Sequence, residues 1–221
     1  MCVIVIKPPN MSISREDMEA MYKQNPHGVG ISFFDPNKNA IRWVKGLTDQ
    51  NEIFDLIEKL YPIEAIIHFR YATSGPINQL MCHPFPINEE NRTSGYSNAI
   101  FFHNGELKSF EPTDPNATYS DAYIFWQQVI NKVDIPLSSE LKDLFNDGIN
   151  KMVFHSVDGI DLLGEFFPWN GLKVSNLKFT RFLFEKSKPR KVLSFCKRMV
   201  LKVLDGIIKF FTIIRNKASK L

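Results

Sequence analysis

The sequence predicts an α+β fold in which antiparallel sheets carry helical layers. Runs that favour strands lie next to one another, and helical patterns do the same, instead of alternating strictly. The chain has 221 residues, of which 44% are hydrophobic and 23% are charged, so it can bury one good core. We therefore expect one folded domain over residues 1–182, followed by a tail over residues 183–221.

The first elements follow from apolar runs and turn residues. An apolar run bounded by Pro8 and Pro9 predicts a buried strand at the start of the chain. Ser14 followed by Asp17 is typical of a helix start, and Asp35-Pro36-Asn37 supplies a turn between two β-prone runs. The predicted elements are a strand at 2–6, a helix at 12–24, a hairpin of 28–34 and 40–44, a helix at 51–60 and a strand at 64–71.

The later elements have similar signals. Tyr123, Trp126, Ile130 and Val133 recur at steps of three and four, which predicts an amphipathic helix. The predicted elements are a strand at 98–103, helices at 119–133 and 138–146, and strands at 151–155, 161–167 and 172–174. Asp158-Gly159 and Asn170-Gly171 form the turns between the last strands.

The net charge of +3 is unevenly distributed. Twelve Lys and Arg residues against Glu185 and Asp205 give residues 181–221 a charge of +10, and residues 1–180 carry −7. This division argues against a whole-protein nucleic-acid binder. Polar positions at steps of three or four over 191–216 predict a basic amphipathic helix, which suits an anionic membrane surface or a protein groove. Packing on the acidic body or in a homodimer seam is the alternative.

Composition excludes several other classes. No apolar run is long enough to span a membrane, and the first residues lack the pattern of a secretory signal, so we expect a cytoplasmic protein, with peripheral membrane contact through the tail left open. Cys2, Cys82 and Cys196 are too few for a disulfide framework. Cys82 and His83 are adjacent, but no second ligand pair stands at zinc-like spacing, so we expect no metal and no cofactor.

Cys2 is the most informative position. Removal of Met1 is favoured by a small second residue, and it would leave one residue carrying both a thiol and a free α-amine. An α-amine with a pKa near 7.7–8.0 can accept the proton of a neighbouring thiol nucleophile. A buried apolar cysteine that opens a core strand is the alternative for this residue taken alone.

Three further stretches carry polar groups at strand or helix ends. Arg70, followed by Thr73, Ser74 and Gly75, forms a natural carboxylate clamp, although an ion pair at a strand end is the alternative. Asn104-Gly105 offers a side-chain amide and a close backbone N–H, which can make an oxyanion hole or only a tight turn. Ser120-Asp121 begins a predicted helix, and capping is the alternative role there. His83 alone is more typical of a structural residue.

Together and in this order, these stretches resemble class II glutamine amidotransferase domains of the N-terminal-nucleophile hydrolase superfamily, in particular the small stand-alone bacterial and phage members. The resemblance covers about residues 1–180. It rests on five stretches: Met1-Cys2, Asn25-Pro26-His27-Gly28-Val29-Gly30, His68-Phe69-Arg70-Tyr71-Ala72-Thr73-Ser74-Gly75 with His83-Pro84-Phe85, His103-Asn104-Gly105, and Ser120-Asp121. Its implied fold is a four-layer α/β/β/α sandwich, to which the tail adds a C-terminal amphipathic helix.

The resemblance also implies a role for each matching residue. Cys2 would be the nucleophile with its own amine as base, while Asn104 and the N–H of Gly105 would hold the oxyanion. The substrate glutamine would be bound by the remaining positions, with Arg70 and Thr73 on its α-carboxylate, Asp121 on its α-ammonium and His83 shaping the site.

The implied activity is glutaminase chemistry through a thioester on the N-terminal cysteine, with the ammonia passed to a separate acceptor synthetase. Two alternatives stay open at this point. One is a free-standing amidohydrolase of γ-glutamyl or related amides, and the other is a catalytically weak regulatory domain anchored by its tail.

Overall fold

The computed structural model describes residues 2–114 and 116–187. The chain divides into two units, Met1–Phe182 and Leu183–Leu221, and the described strands all belong to the first. These strands are β1 (Val3–Lys7), β2 (Val29–Asp35), β3 (Ala40–Leu47), β4 (Ala65–Phe69), β5 (Phe85–Pro86), β6 (Ser94–Ser97), β7 (Ala99–Asn104), β8 (Lys151–Ser156), β9 (Gly159–Leu163), β10 (Phe167–Trp169) and β11 (Leu172–Val174).

The strands form two antiparallel sheets. A seven-stranded sheet has the order β10-β11-β1-β4-β2-β3-β6, and a four-stranded sheet has the order β5-β7-β8-β9. β1 lies between β11 and β4, with Val5 opposite both Val174 and Ile67. The sheets pack through one apolar cluster of buried side chains: Ile4, Ile6, Ile41, Trp43, Ile66, Ile100, Phe102 and Val153.

Helices form the outer layers. α1 (Arg15–Gln24) contacts the large sheet through Asp17, which accepts from Trp169 of β10, and α2 (Gln50–Lys59) packs against α1. α3 (Asp121–Gln128) and α4 (Ser139–Phe145) cover the small sheet. Phe125 and Trp126 of α3 pack with Phe101 and Phe154 of the small sheet. α5 (Thr180–Ser187) ends the described chain. The predicted α/β/β/α sandwich of antiparallel sheets is confirmed.

The predicted helix starts at Ser14 and Ser120 have the expected caps. Ser14 Oγ accepts from Asp17 N at 3.0 Å, and Ser120 Oγ accepts from Tyr123 N at 3.3 Å. Ser120 therefore caps α3, which leaves the carboxylate of Asp121 available for other partners.

Three local predictions were wrong. The helix predicted over 119–133 ends at Gln128 and gives way to a short 3-10 turn at Ile130–Lys132, because the β-branched Val129 and Ile130 favour helix less. The strand predicted over 161–167 is interrupted at Gly164, whose φ is +83°. β5 and β6 were missed, since two and four residues give too little periodicity to detect.

Lys7 fastens the far end of β1. The residue is fully buried, and its ammonium donates to the carbonyl oxygens of Pro8, Met11, Tyr61 and Ile63 at 2.6–3.2 Å. Desolvation lowers the pKa of this side chain. The contacts tie β1 to two loops that follow β1 and α2.

Within residues 2–114 and 116–187, no helix is both long and apolar enough to cross a bilayer. The predicted amphipathic helix of the tail, with its expected membrane or protein partner, lies outside the described residues.

Candidate active site

The pleat of the sheets brings the predicted residues to one end of the space between them. Side chains alternate along a strand, so the row that holds Ile4 and Ile6 in the inter-sheet core continues to Cys2. In the same way the row of Ile66 on β4 continues to His68 and Arg70. The row of Ile100 and Phe102 on β7 likewise continues to Asn104. The apolar core thus ends in a set of polar side chains.

A cavity of about 30 Å³ lies at this end. Six of the predicted residues line it: Cys2, Arg70, Thr73, His83, Gly105 and Asp121. The seventh, Asn104, is buried beside it between two lining residues, but its own side chain does not line the cavity. A cavity of this volume is large enough to hold a water molecule.

The Cys2 sulfur is held by the chain that leaves β4. Tyr71 N donates to Sγ at 3.3 Å, and Sγ donates to Tyr71 O at 3.5 Å. Burial raises the pKa of the thiol, and the Tyr71 N–H and the positive charge of Arg70 oppose that shift. The thiol is therefore protonated at neutral pH and needs a base before it can attack. On the other side, the Cys2 carbonyl accepts from Asn176 Nδ2 at 2.5 Å.

Arg70 is 4% exposed and only partly paired. Its Nη2 donates to Pro76 O at 3.0 Å, whereas Nη1 has no hydrogen-bond partner. A buried guanidinium N–H without an acceptor is costly, so this group is suited to an incoming anion.

The motif at 25–30 supports the backbone around Arg70. Arg70 N donates to Gly28 O at 2.9 Å, and His27 N donates to Arg70 O at 3.0 Å. A side chain on Gly30 would place its Cβ 1.7 Å from the carbonyl oxygen of His83, so a glycine is required where β2 passes the site. The His27 ring stacks on Tyr71 with centroids 5.0 Å apart.

Asp121 and Thr73 form the outer wall. Asp121 is the first residue of α3, and its Oδ2 accepts from Leu107 N at 3.0 Å. A recess of about 150 Å³ shares Thr73, Ser74 and Asp121 with the small cavity and extends to Leu107 and Glu111. Asp121 thus stands between the two spaces.

Gly105 is required by what lies behind it. A Cβ there would stand 1.9 Å from Asn150 Oδ1, which pairs with His103 Nε2 at 2.7 Å. Asn150 is held in turn by Asp147, whose Oδ2 accepts from Asn150 Nδ2 at 2.6 Å. Burial lowers the pKa of His103, so its ring is neutral at neutral pH.

Unpaired buried polar atoms are concentrated at this end of the fold. Among the described residues, nine such side-chain atoms occur, and six belong to His68, Arg70, His83 and Asn104. The rings of His68 and His83 lie 4.6 Å apart, and desolvation lowers the pKa of His68 to about 3. In the part of the chain that the structure describes, no three His, Cys, Asp or Glu side chains are placed to hold a metal ion.

Comparison with protein families identifies the family of the chain. The family model described as glutamine amidotransferases class-II matches residues 8–121, which is more than half of the chain. The chain belongs to the class-II glutamine amidotransferases. A search of curated protein sequences gave no match.

Solved structures resemble this class-II amidotransferase in fold. One is titled the allosteric regulatory enzyme of purine biosynthesis, with a TM-score of 0.53 and 16% identity over 83% of this chain and 43% of that chain. Another is glutamine phosphoribosylpyrophosphate amidotransferase from B. subtilis complexed with ADP and GMP, with a TM-score of 0.49 and 18% identity over 79% and 41%. This chain spans less than half the length of either. The N-terminal-nucleophile hydrolase fold is confirmed.

Some residues that build this candidate site carried no sequence signal. Ser175 and Asn176 reach it only because β11 pairs with β1, 171 positions earlier in the chain, and local patterns do not reveal such pairings. Asn150 is likewise brought to Gly105 by the pairing of β7 with β8. His68 and His103 stood in the quoted motifs and were assigned no role.

Proposed function

We propose that this protein hydrolyses the side-chain amide of glutamine through a thioester on Cys2, after loss of Met1, and supplies the ammonia to a separate acceptor enzyme. The observation that carries the proposal is that Cys2 shares one small cavity with Arg70, Thr73, Gly105 and Asp121. These are the groups that glutamine and its reaction need: a nucleophile, an anion clamp, a carboxylate and a backbone N–H.

Glutamine would be held by charge at its α-carbon end. Its carboxylate pairs with the unpartnered Nη1 of Arg70, which recovers the cost of burying that group, and Thr73 adds a hydroxyl. Its ammonium faces the free oxygen of Asp121, since Oδ2 is already engaged with Leu107 N.

The reaction would begin with proton transfer from the thiol to the α-amine of Cys2. Burial keeps the thiol protonated, and a neutral amine on the same residue is the nearest base. The thiolate then forms a bond to the amide carbon, and the carbonyl oxygen becomes an oxyanion held by Gly105 N–H and the Asn104 amide. The C–N bond breaks as the ammonium returns its proton, and ammonia leaves. Water, deprotonated by the same amine, cleaves the thioester to release glutamate.

Mass spectrometry tests both the loss of Met1 and the role of Cys2 as nucleophile. We expect the mature protein to begin at Cys2 and a glutamine-like diazo ketone to add once, on Cys2, with protection by glutamine. Asparagine, one methylene shorter, is the matched control and should protect poorly. An adduct on the buried Cys82, or an active protein that retains Met1, would count against the mechanism.

One observation favours a second substrate range. The recess of about 150 Å³ beyond Asp121 offers space next to the position proposed for the α-ammonium. A substituent on that nitrogen would lie there, so the second candidate is a related amidohydrolase that cleaves the side-chain amide of glutamine derivatives substituted at the α-amine. Ammonia release from glutamine and from its N-acyl derivatives separates the two, and co-purification from the native host would identify the acceptor.

A further inference from the structure

The Asn104 amide gives one of its two N–H donors to Ser175 instead of to the site. Its Nδ2 donates to Ser175 Oγ at 2.8 Å, while its Oδ1 is buried without a partner. An oxyanion requires N–H donors, and this orientation commits one of the two N–H groups of the amide to Ser175 and leaves its acceptor unpaired. The proposed function assigns Asn104 to the oxyanion, and the role of its partner Ser175 rests on that assignment.

The hydroxyl of Ser175 can serve either end of the amide. Ser175 Oγ accepts from Ile4 N at 2.9 Å and also accepts from Asn104, so its own proton has no acceptor among these contacts. A hydroxyl both donates and accepts. If the Asn104 amide turns by 180°, Ser175 keeps its bond from Ile4 N and donates to Oδ1, and both unpaired groups are satisfied. The turn leaves Nδ2 free.

The position of Ser175 suits this role. The residue is 1% exposed, and its N–H donates to Ile4 O at 2.9 Å, so its backbone is fixed to β1 two residues from the nucleophile. The next residue, Asn176, holds the Cys2 carbonyl. One short segment after β11 thus contacts both the nucleophilic residue and the amide that faces it across the sheets.

We propose that Ser175 is a positioning residue, which holds Asn104 with Oδ1 towards itself and Nδ2 free to donate to the oxyanion. Ser175 touches no reacting atom. It acts through Asn104, so its removal should affect the transition state more than the binding of glutamine.

A double-mutant comparison of kcat tests whether Ser175 acts through Asn104. Ser175→Ala should lower kcat about tenfold to a hundredfold with KM within about twofold, and iodoacetamide should still alkylate Cys2. Asn104→Ala should lower kcat by about 10²–10³, and adding Ser175→Ala should lower it no further. Ser97→Ala removes another buried hydroxyl, bound to Ala99 O at 2.8 Å, and controls for lost stability. Independent, multiplying losses, or an equal loss in Ser97→Ala, would overturn the proposal.

Neutron diffraction from the unaltered protein decides the same point if Ser175→Ala does not fold. We expect the Ser175 deuterium between Oγ and Asn104 Oδ1, and the Asn104 deuterons on the side away from Ser175. An Asn104 deuteron pointing at Ser175 Oγ would overturn the proposal. The result does not depend on glutamine turnover, so inactivity of the wild-type protein would defeat the proposed function alone.

Discussion

The middle and the end of the inter-sheet space are built by the same strands but differ in how well their atoms are paired. In the middle, Ile66 and Phe102 are fully buried among other apolar side chains. Two to four residues further along the same rows, Arg70 and Asn104 are also buried but leave polar atoms without partners. Among the described residues, one pleat therefore carries both an apolar core, in which Trp43 Nε1 is the unpaired polar atom, and a site with six unpaired polar atoms.

The difference gives a physical criterion that supports the proposed location of the active site. Buried unpaired polar groups reduce stability, so a fold keeps them where a ligand can complete them. The apolar middle fixes the spacing of the sheets. Substitutions in the two regions should consequently separate stability from activity.

The largest expected effect is on the nucleophile. Cys2→Ala keeps a small second residue, so Met1 is still removed and the amine is retained, but the sulfur is lost. We expect ammonia release to fall at least about 10³-fold, with little change in the free energy of unfolding. Ammonia assays and urea unfolding check both values. Substantial residual turnover would mean that another group attacks the amide.

The next largest effect is on stability, through the apolar cluster between the sheets. Ile66→Ala should lower the free energy of unfolding by about 2–5 kcal/mol, because the well-packed site cannot collapse to fill the cavity. Activity per folded molecule should change little. Equilibrium unfolding in urea measures the first quantity, and active-site titration with the diazo ketone corrects the second. A loss of kcat larger than the loss of folded protein would contradict the expected separation between stability in the core and activity at the site.

Arg70→Met removes the positive charge of Arg70, which lies four residues after Ile66 in the row that continues from β4. The substitution removes a buried unpaired N–H, so the free energy of unfolding should stay equal or rise, while KM for glutamine should rise about a hundredfold. Arg70→Lys serves as the charge-retaining comparison and should recover only part of the affinity, since an ammonium cannot bind a carboxylate as a fork. An unchanged KM in Arg70→Met would remove this residue from substrate binding.

The smallest expected effect is on the pH dependence of stability. Burial lowers the pKa of His155 to about 4, and its Nδ1 pairs with Ser32 Oγ at 2.9 Å. Between about pH 6.5 and 4 the unfolded state binds this proton and the folded state does not, so stability falls on acidification. His155→Gln should remove about 1.4 kcal/mol per pH unit from that slope. Urea unfolding at several pH values checks this, and an unaltered slope would contradict it.

Much of the fold could be predicted from the sequence because its elements have strong local patterns. β11 occupies the predicted residues, and α1 and α2 begin and end no more than three residues from their predicted bounds. The short β5 and β6 depend on their neighbours for pairing and leave no periodic trace. The break at Gly164 depends on the approach of Asn150 O, which no local pattern contains.

The residues of the candidate site could be predicted from the sequence, but the hydrogen bonds and packing contacts that orient them could not. Cys2, Arg70, Thr73, His83, Gly105 and Asp121 were expected together and share one cavity. The contacts that orient them come from distant parts of the chain, such as Asn176 on Cys2 and Asn150 behind Gly105. Partners of this kind depend on strand order, which sequence periodicity does not specify.

Hydrogen bonds hold β1 at both ends. Lys7 donates to four backbone carbonyls at one end, and Asn176 donates to the Cys2 carbonyl just before the other end. A strand fastened in this way cannot slide to absorb an added residue, since a one-residue slip would turn Ile4 and Ile6 out of the core. The α-amine of Cys2 can therefore occupy only one position. An affinity tag fused ahead of Cys2 should abolish activity unless a protease removes it and leaves Cys2 as the first residue.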